Sequence, residues 1–300
     1  MLHIASVERD IGISKDVLRK WEIRYGFPVP VRMPDGDRYY PREQVERLRG
    51  IKRLLDAGFR PGRVVPAGDN ELDQLFEGLP RETSDRSGED FIDTSLRALE
   101  VYDIPALESA LRGGLVKGGL DSFVLEKLGP LVRAVGDAWA AGRLQVHHEH
   151  AFTELAKTLL HGAISTLGQP AEGAPRVILA TPSGELHTLG ILMTQAVLSL
   201  HGSKPVQLGQ QVPFNDLVGA VMRYRADIVG LSFSHCYAPR LGKSLLVELR
   251  QALAPEVEIW AGGRAVSRFG KLPPGVHALS DLHKAVERLQ VVQNRLAAGR

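Results

Sequence analysis

Three hundred residues, 44% hydrophobic and 24% charged, suit one large domain or two to three ordinary globular ones, and fit neither a collagen-like chain nor a disulfide scaffold. The net charge of +2 is uninformative, but its distribution is not: residues 1–63 carry 14 Lys and Arg against 9 Asp and Glu, whereas residues 66–93 carry 2 against 9. A basic head followed by an acidic strip suits a nucleic-acid contact that ends where a linker begins. The single cysteine, Cys236, excludes an intramolecular disulfide and a cysteine-based zinc cage. No basic segment precedes an apolar run at the N-terminus, and no stretch of 18 apolar residues occurs, so the chain is expected in the cytoplasm with no membrane partner.

In chain order, Ile4–Asp10 reads as a short helix, Gly12-Ile13-Ser14 as a tight turn, and Ser14 as the N-cap of a second helix, Lys15–Tyr25. Val17, Leu18 and Trp21 give that helix one apolar face, and Gly26-Phe27-Pro28 stops it. Met33-Pro34-Asp35-Gly36-Asp37 carries the Asp-Gly signal of a hairpin turn. Arg42–Ala57 is a third amphipathic helix (Val45, Leu48, Ile51, Leu55) closed by Gly58.

Residues 61–90 are rich in Pro, Gly, Ser and acid, which predicts a linker. Four helical segments follow, at about 91–100, 104–117, 120–141 and 146–167, enough for a four-helix bundle. From Arg176 short buried-type strands alternate with helices. The strands are Val177–Ala180, Pro205–Leu208, Ile228–Ser232 and Val257–Ala261, and the helices begin near Leu189, Asn215, Leu241 and Leu282. Such alternation predicts a doubly wound parallel sheet, with ligands beyond the carboxyl ends of its strands. The expected organisation is a winged helix-turn-helix of all-α type (1–63), an acidic linker (64–90), a helical cap (91–170) and an α/β domain (174–300).

The second helix of a helix-turn-helix enters the major groove, and here it offers Lys15, Arg19, Lys20 and Arg24 with Tyr25. The hairpin adds Arg32 and Arg38 beside Tyr39 and Tyr40, cations that suit phosphate contacts along a wing. The run LRKWEIRYGFPVPVRMPDGDRYY resembles the recognition helix and wing of MerR-type regulators. Its Arg19, Trp21, Glu22, Arg24 and Tyr25, then Gly36, Arg38 and Tyr40, carry the likeness over about the first 60 residues. Trp21 is expected in the core. MerR regulators of metals or oxidants usually continue with a long dimerisation helix and ligand cysteines. This chain has neither, so its sensor is expected in the C-terminal two thirds.

There, Glu185-x-His187-x-x-Gly190 follows the first strand of the sheet. A neutral imidazole in that place can ligate a metal while a nearby carboxylate takes its other N–H. The spacing resembles the Asp/Glu-x-His-x-x-Gly element of cobalamin-binding Rossmann-like domains, with Ser232 and the Gly262-Gly263 pair at the positions of the later elements. The likeness implies that His187 is the lower cobalt ligand and that the cofactor's nucleotide tail passes Ser232 towards the two glycines. Ser234 stands where that family often has Leu, so only Ser232 is carried over. Upstream, Trp139 is followed after nine residues by Glu149-His150. This resembles the element with which cobalamin-binding MerR regulators of the CarH kind cap the upper face of cobalt.

Likeness to that family covers the whole chain. It implies a repressor of double-stranded operator DNA, a homo-oligomer (dimer or tetramer) controlled by adenosylcobalamin or another cobalamin, and photoreception through cobalt–carbon photolysis. In some members a histidine directly after the tryptophan captures cobalt after photolysis. Here that residue is Ala140, with His147 and His148 as substitute upper ligands. A light-independent cobalamin-responsive repressor, or a sensor of another tetrapyrrole such as biliverdin, stays open, as does a regulator that binds a partner protein and no cofactor. A cobalamin enzyme is not expected, because its substrate domain, typically a barrel of about 250 residues, has no room here.

Overall fold

The computed structural model describes residues 1–11, 13–33, 36–56, 59–69, 71, 72, 75 and 86–298. The chain forms two compact units, residues 1–155 with 166–168, and residues 156–165 with 169–300.

The first unit opens with β1 (Leu2–His3), α1 (Ile4–Ile11) and α2 (Lys15–Tyr25). Ser14 caps α2 by accepting from the Val17 amide at 3.3 Å, and Gly26 closes it at φ 69°, a left-handed conformation that a side chain would strain. β2 (Val31–Arg32) and β3 (Arg38–Tyr40) form the wing, and β1 joins them in a three-stranded antiparallel sheet of order β1-β3-β2. The domain is therefore not all-α: Leu2 pairs with Tyr40 and His3 with Tyr39, a pairing too distant in sequence for local patterning to reveal. α3 (Arg42–Asp56) buries Val45, Leu48, Ile51 and Leu54. Leu54 takes the core position expected of Leu55, which is half-buried. The expected turn residue Gly12, the hairpin apex Pro34-Asp35 and the helix stop Gly58 lie outside the described residues.

The expected linker is partly structured. Pro61 starts a one-turn helix, α4 (Pro61–Val64), and Val64, Val65 and Ala67 are buried. Most of residues 70–85 lie outside the described residues. α5 (Arg86–Glu100) begins earlier than the apolar period at Phe91 announces, because its first turn carries no apolar residue. α6 (Ile104–Ser122) is capped by Asp103, which accepts from the Ala106 amide at 3.0 Å, and it kinks at Gly119 (φ 70°, ψ 172°). One π-helical stretch (Phe123–Leu128) leads into α7 (Gly129–Ala140), and α8 (Val146–Ser165) follows. Leu99, Leu107, Leu111, Phe123, Leu128, Leu131 and Val135 form the core of this helical region. At Gly114 a Cβ would stand 2.9 Å from the Phe91 ring, so glycine is what lets the α5 and α6 side chains close up.

The second unit is a five-stranded sheet of order β5-β4-β6-β7-β8, parallel throughout. Its strands are β4 (Arg176–Pro182), β5 (Lys204–Val212), β6 (Ile228–Ser232), β7 (Glu258–Gly262) and β8 (Val276–Leu279). The helices are α9 (Leu189–Leu200), α10 (Phe214–Tyr224), α11 (Pro239–Ala252) and α12 (Leu282–Ala298). Side chains alternate across the sheet. Ile178, Val229, Leu231 and Ile259 face the cluster that holds Leu217, Val221, Leu246 and Leu249 of α10 and α11. Val177, Leu179, Ile228 and Trp260 face Ile191, Leu198, Leu289 and Val292 of α9 and α12. The fifth strand, β8, is absent from the sequence pattern. It is a short edge strand with one largely buried position, which gives a sequence pattern little to register. The chain passes from β4 to β5 on one side and then to β6 on the other, so the strand order reverses at β4 and opens a crevice at the carboxyl ends of β4 and β6. No helix among the described residues is long and apolar enough to cross a membrane.

Candidate functional site

Beyond the end of β4 the chain turns at Gly184 (φ 82°) and carries Glu185 and His187 across the mouth of that crevice. The Thr181 hydroxyl donates to the Glu185 carbonyl at 2.6 Å and accepts from the Gln211 amide at 3.1 Å, pinning the loop to β5. The Glu185 side chain is 2% exposed. Its Oε1 accepts from the His187 amide at 3.0 Å and lies 2.6 Å from His187 Nδ1, while Oε2 accepts from the Ser234 amide at 2.7 Å. Burial alone would raise the pKa of this carboxyl; hydrogen bonds from His187 and Ser234 outweigh it and hold the value at about 2. An ionised carboxylate can only accept, so Nδ1 carries the proton and Nε2 is the nitrogen suited to a metal. The His187 side chain is 60% exposed, so the ring stands at the surface on a buried anionic anchor.

Ser232 ends β6 and Gly262 ends β7, in register with each other. A Cβ at Gly190 would stand 2.9 Å from Ser232 Oγ, and one at Gly263 (φ 96°) would stand 2.2 Å from the Phe233 carbonyl oxygen. Gly263 is therefore demanded by the backbone packing itself, a requirement separate from any tail passing over it, whereas at Gly190, in the first turn of α9, a side chain would only have to displace the Ser232 hydroxyl. At Gly262 the nearest atoms are 3.9 Å away, which leaves its surface open. Glu185, His187, Gly190, Ser232, Gly262 and Gly263 thus all lie at the carboxyl edge of the sheet.

The helical residues lie in the first unit. Trp139 sits on the last turn of α7 and is 42% exposed, an unusual place for an indole unless something covers it. Residues 141–145 lead to α8, whose first turns carry the four polar candidates. Glu149 accepts from the Thr153 hydroxyl at 2.7 Å and lies 2.7 Å from His150 Nδ1. The His147 and His148 rings are 4.0 Å apart, and both meet the edge of Tyr102, at 5.1 and 5.4 Å. Tyr102 holds a left-handed backbone (φ 56°) between α5 and α6. Nothing in the sequence singled it out, because its partners are more than forty residues away in the chain.

On α2, Lys15, Arg19, Lys20 and Arg24 are exposed, while Leu18 and Trp21 are buried. Arg24 lies over the Tyr25 ring at 5.3 Å. Glu22 receives both wing arginines, Arg32 at 2.7 Å and Arg38 at 3.0 Å. Burial opposes ionisation of Glu22, but the two guanidinium hydrogen bonds prevail and lower its pKa. Arg38 is 22% exposed and ties the wing to α2. Tyr40 is a correction: expected at the DNA surface, it is 0% exposed because it lies in the central strand beneath the helices, and it is a core residue.

Residues 2–65 match the model of the MerR HTH family regulatory protein, and residues 175–276 match the B12 binding domain. The chain is 33% identical over 266 residues to the HTH-type transcriptional repressor CarH of Myxococcus xanthus, an alignment covering 85% of this chain and 86% of that protein. It is 34% identical over 260 residues to the repressor CarA of the same organism, covering 85% and 84%. The chain belongs to the CarH and CarA family of HTH-type transcriptional repressors.

Among solved structures, the Methanosarcina barkeri monomethylamine corrinoid protein superposes with a TM-score of 0.50 at 18% identity, covering 68% of this chain and 99% of that one, a likeness of fold alone. As a member of the CarH and CarA family, the chain is a DNA-binding regulator whose B12 domain serves as a binding module and not as part of an enzyme. The chemistry of the donor set fits a corrinoid: an exposed imidazole whose Nδ1–H donates to a buried, ionised carboxylate presents its other nitrogen to a metal that brings its other ligands with it. Besides Tyr102, two contributors to the surroundings of His187 escape sequence reasoning. The Ser234 amide and the Thr181 hydroxyl act through backbone geometry and hydrogen bonding between strands, which motif spacing does not encode.

Proposed function

We propose that this regulator is a repressor that binds operator DNA under the control of adenosylcobalamin, with His187 as the lower cobalt ligand. The observation that carries the reading is the Glu185 carboxylate, which is buried and within 2.6 Å of His187 Nδ1, and whose hydrogen bonds keep its pKa well below the ordinary range. It holds the ring in one tautomer and raises the basicity of Nε2. Ser232 and Gly262, at the ends of neighbouring strands, would line the path of the nucleotide tail, with Gly190 and Gly263 shaping the loops beside it. Trp139, Glu149 and His150 would supply the cap over the upper face: the indole excludes water, and the carboxylate and imidazole offer hydrogen bonds. Bound adenosylcobalamin would supply a cobalt–carbon bond that visible light breaks. Lys15, Arg19, Lys20 and Arg24 would meet the DNA, with Tyr25 and Arg32 beside them.

The working division of the chain is DNA-binding domain (1–63), acidic linker (64–90), four-helix cap (91–170) and cobalamin-binding domain (174–300). The active form is a homo-oligomer, dimer or tetramer, acting in the cytoplasm. The identity of residue 140 favours a second reading. Ala140 follows Trp139, where some light-responsive relatives carry a histidine, so either His147 or His148 takes the upper position or the repressor answers to cobalamin, or to another tetrapyrrole such as biliverdin, without this step.

The visible spectrum of protein reconstituted with adenosylcobalamin tests the proposal. The wild type is expected to show histidine-ligated, base-off cobalamin, and His187→Ala to lose that form; an identical spectrum in the variant refutes the ligand assignment. Gel filtration before and after green light separates the two readings. A change of mass supports photoreception, and an unchanged mass favours the light-independent repressor.

A further inference from the structure

The outward face of the recognition helix carries a residue that neither packs nor bears charge. At 100° per residue, the buried Leu18 and Trp21 define the inward side of α2, and Ile23 points directly away from them. It is 86% exposed, the most exposed of the large hydrophobic side chains among the described residues. Arg19 and Lys20, both exposed, flank it on either side of the same face. Single exposed aliphatic residues are ordinary on protein surfaces. One at the centre of a cationic face that enters the major groove is placed against base edges, because the cations on its flanks take the phosphates.

We infer that Ile23 reads the C5-methyl group of a thymine in the operator. That methyl is the apolar feature of the bases' major-groove edges, and an aliphatic side chain has no hydrogen bond to offer a purine. The setting is rigid enough for such reading: Ser14 and Gly26 cap the helix, and the neighbouring Glu22 is clamped by Arg32 and Arg38 of the wing at 2.7 and 3.0 Å. Rotation of α2 against the wing would break that clamp. The inference rests on the DNA-binding role and is independent of the cofactor.

The test uses the full chain, loaded with adenosylcobalamin and kept dark, and an operator enriched from a random duplex pool. Each thymine is replaced in turn by deoxyuridine, which removes only the methyl, and affinity is measured at fixed salt. Wild type is expected to lose roughly 3- to 10-fold at one thymine per half-site, about what one buried methyl contributes. Ile23→Ala is expected to lose that sensitivity and no other, with the slope of affinity against salt unchanged because no phosphate contact is removed. Ile23→Val, which keeps a branched apolar end, is expected to retain it. Equal sensitivity to every deoxyuridine in wild type and Ile23→Ala overturns the inference while leaving DNA binding intact. A wild type that enriches no sequence, either loaded or as the apoprotein, overturns the DNA-binding role on which the inference rests, and the inference with it.

Discussion

His187 and Glu185 show how one residue sets the chemistry of another. An exposed imidazole without an anchor would rotate and exchange tautomers. Glu185, held by the amides of His187 and Ser234 at 3.0 and 2.7 Å, stays ionised and keeps the ring proton on Nδ1. Replacing it with glutamine keeps the shape, weakens the bond to the ring and removes the charge that raises its basicity. Glu185→Gln is therefore expected to weaken cobalamin binding by roughly 10- to 100-fold, measured by spectral titration with the folded state checked by circular dichroism. Unchanged affinity would mean that the carboxylate only shapes the loop.

Between elements, the tie with the clearest energetic signature joins β7 to α12. Glu258 is buried at the start of β7 and accepts from Trp260 Nε1 at 2.9 Å, from Arg288 twice at 2.8 Å and from Arg295 at 3.1 Å. Burial disfavours its charge, yet the hydrogen bonds of Arg288 and Trp260 prevail and hold its pKa below the ordinary value of 4.5. Because the folded-state pKa lies below the unfolded one, the stabilisation is complete above the unfolded pKa and is lost as pH falls through the folded one. Glu258→Gln leaves the guanidinium groups of Arg288 and Arg295 without their anion, but both are partly exposed and stay hydrated, so the change is expected to cost about 1–3 kcal/mol at pH 7. The gap between variant and wild type should narrow as the pH drops below about 4. Denaturant midpoints across pH 2–7 read this directly, and a gap independent of pH would exclude the charge as its source.

For the molecule as a whole, two modules in one chain make a regulator only if their ligands are linked. If cobalamin favours the DNA-competent assembly, it does so by binding that assembly more tightly than the other, and DNA must then raise cobalamin affinity by the same factor. Operator affinity with and without adenosylcobalamin in the dark, and cobalamin affinity with and without operator, are expected to change by equal factors of roughly 5- to 150-fold. Both experiments need the same protein concentration, because assembly enters both. Two factors of one would show that the modules work independently.

The sequence by itself determined most of the helices, four of the five strands of the parallel sheet and the order of the chemistry. The recognition helix with its Ser14 and Gly26 caps and the alternation that makes a parallel sheet are local patterns. So is the Glu185-x-His187-x-x-Gly190 spacing, since each is written within a few neighbouring residues. Only the tertiary structure decided what depends on contacts across the chain. It put Tyr40 in the core by pairing it with Leu2, turned Arg38 onto Glu22, brought the Ser234 amide to Glu185, and added β8 to the sheet edge. Periodicity records which side of an element is apolar. It does not record which distant strand or side chain meets that element, and there the outcome is set by packing.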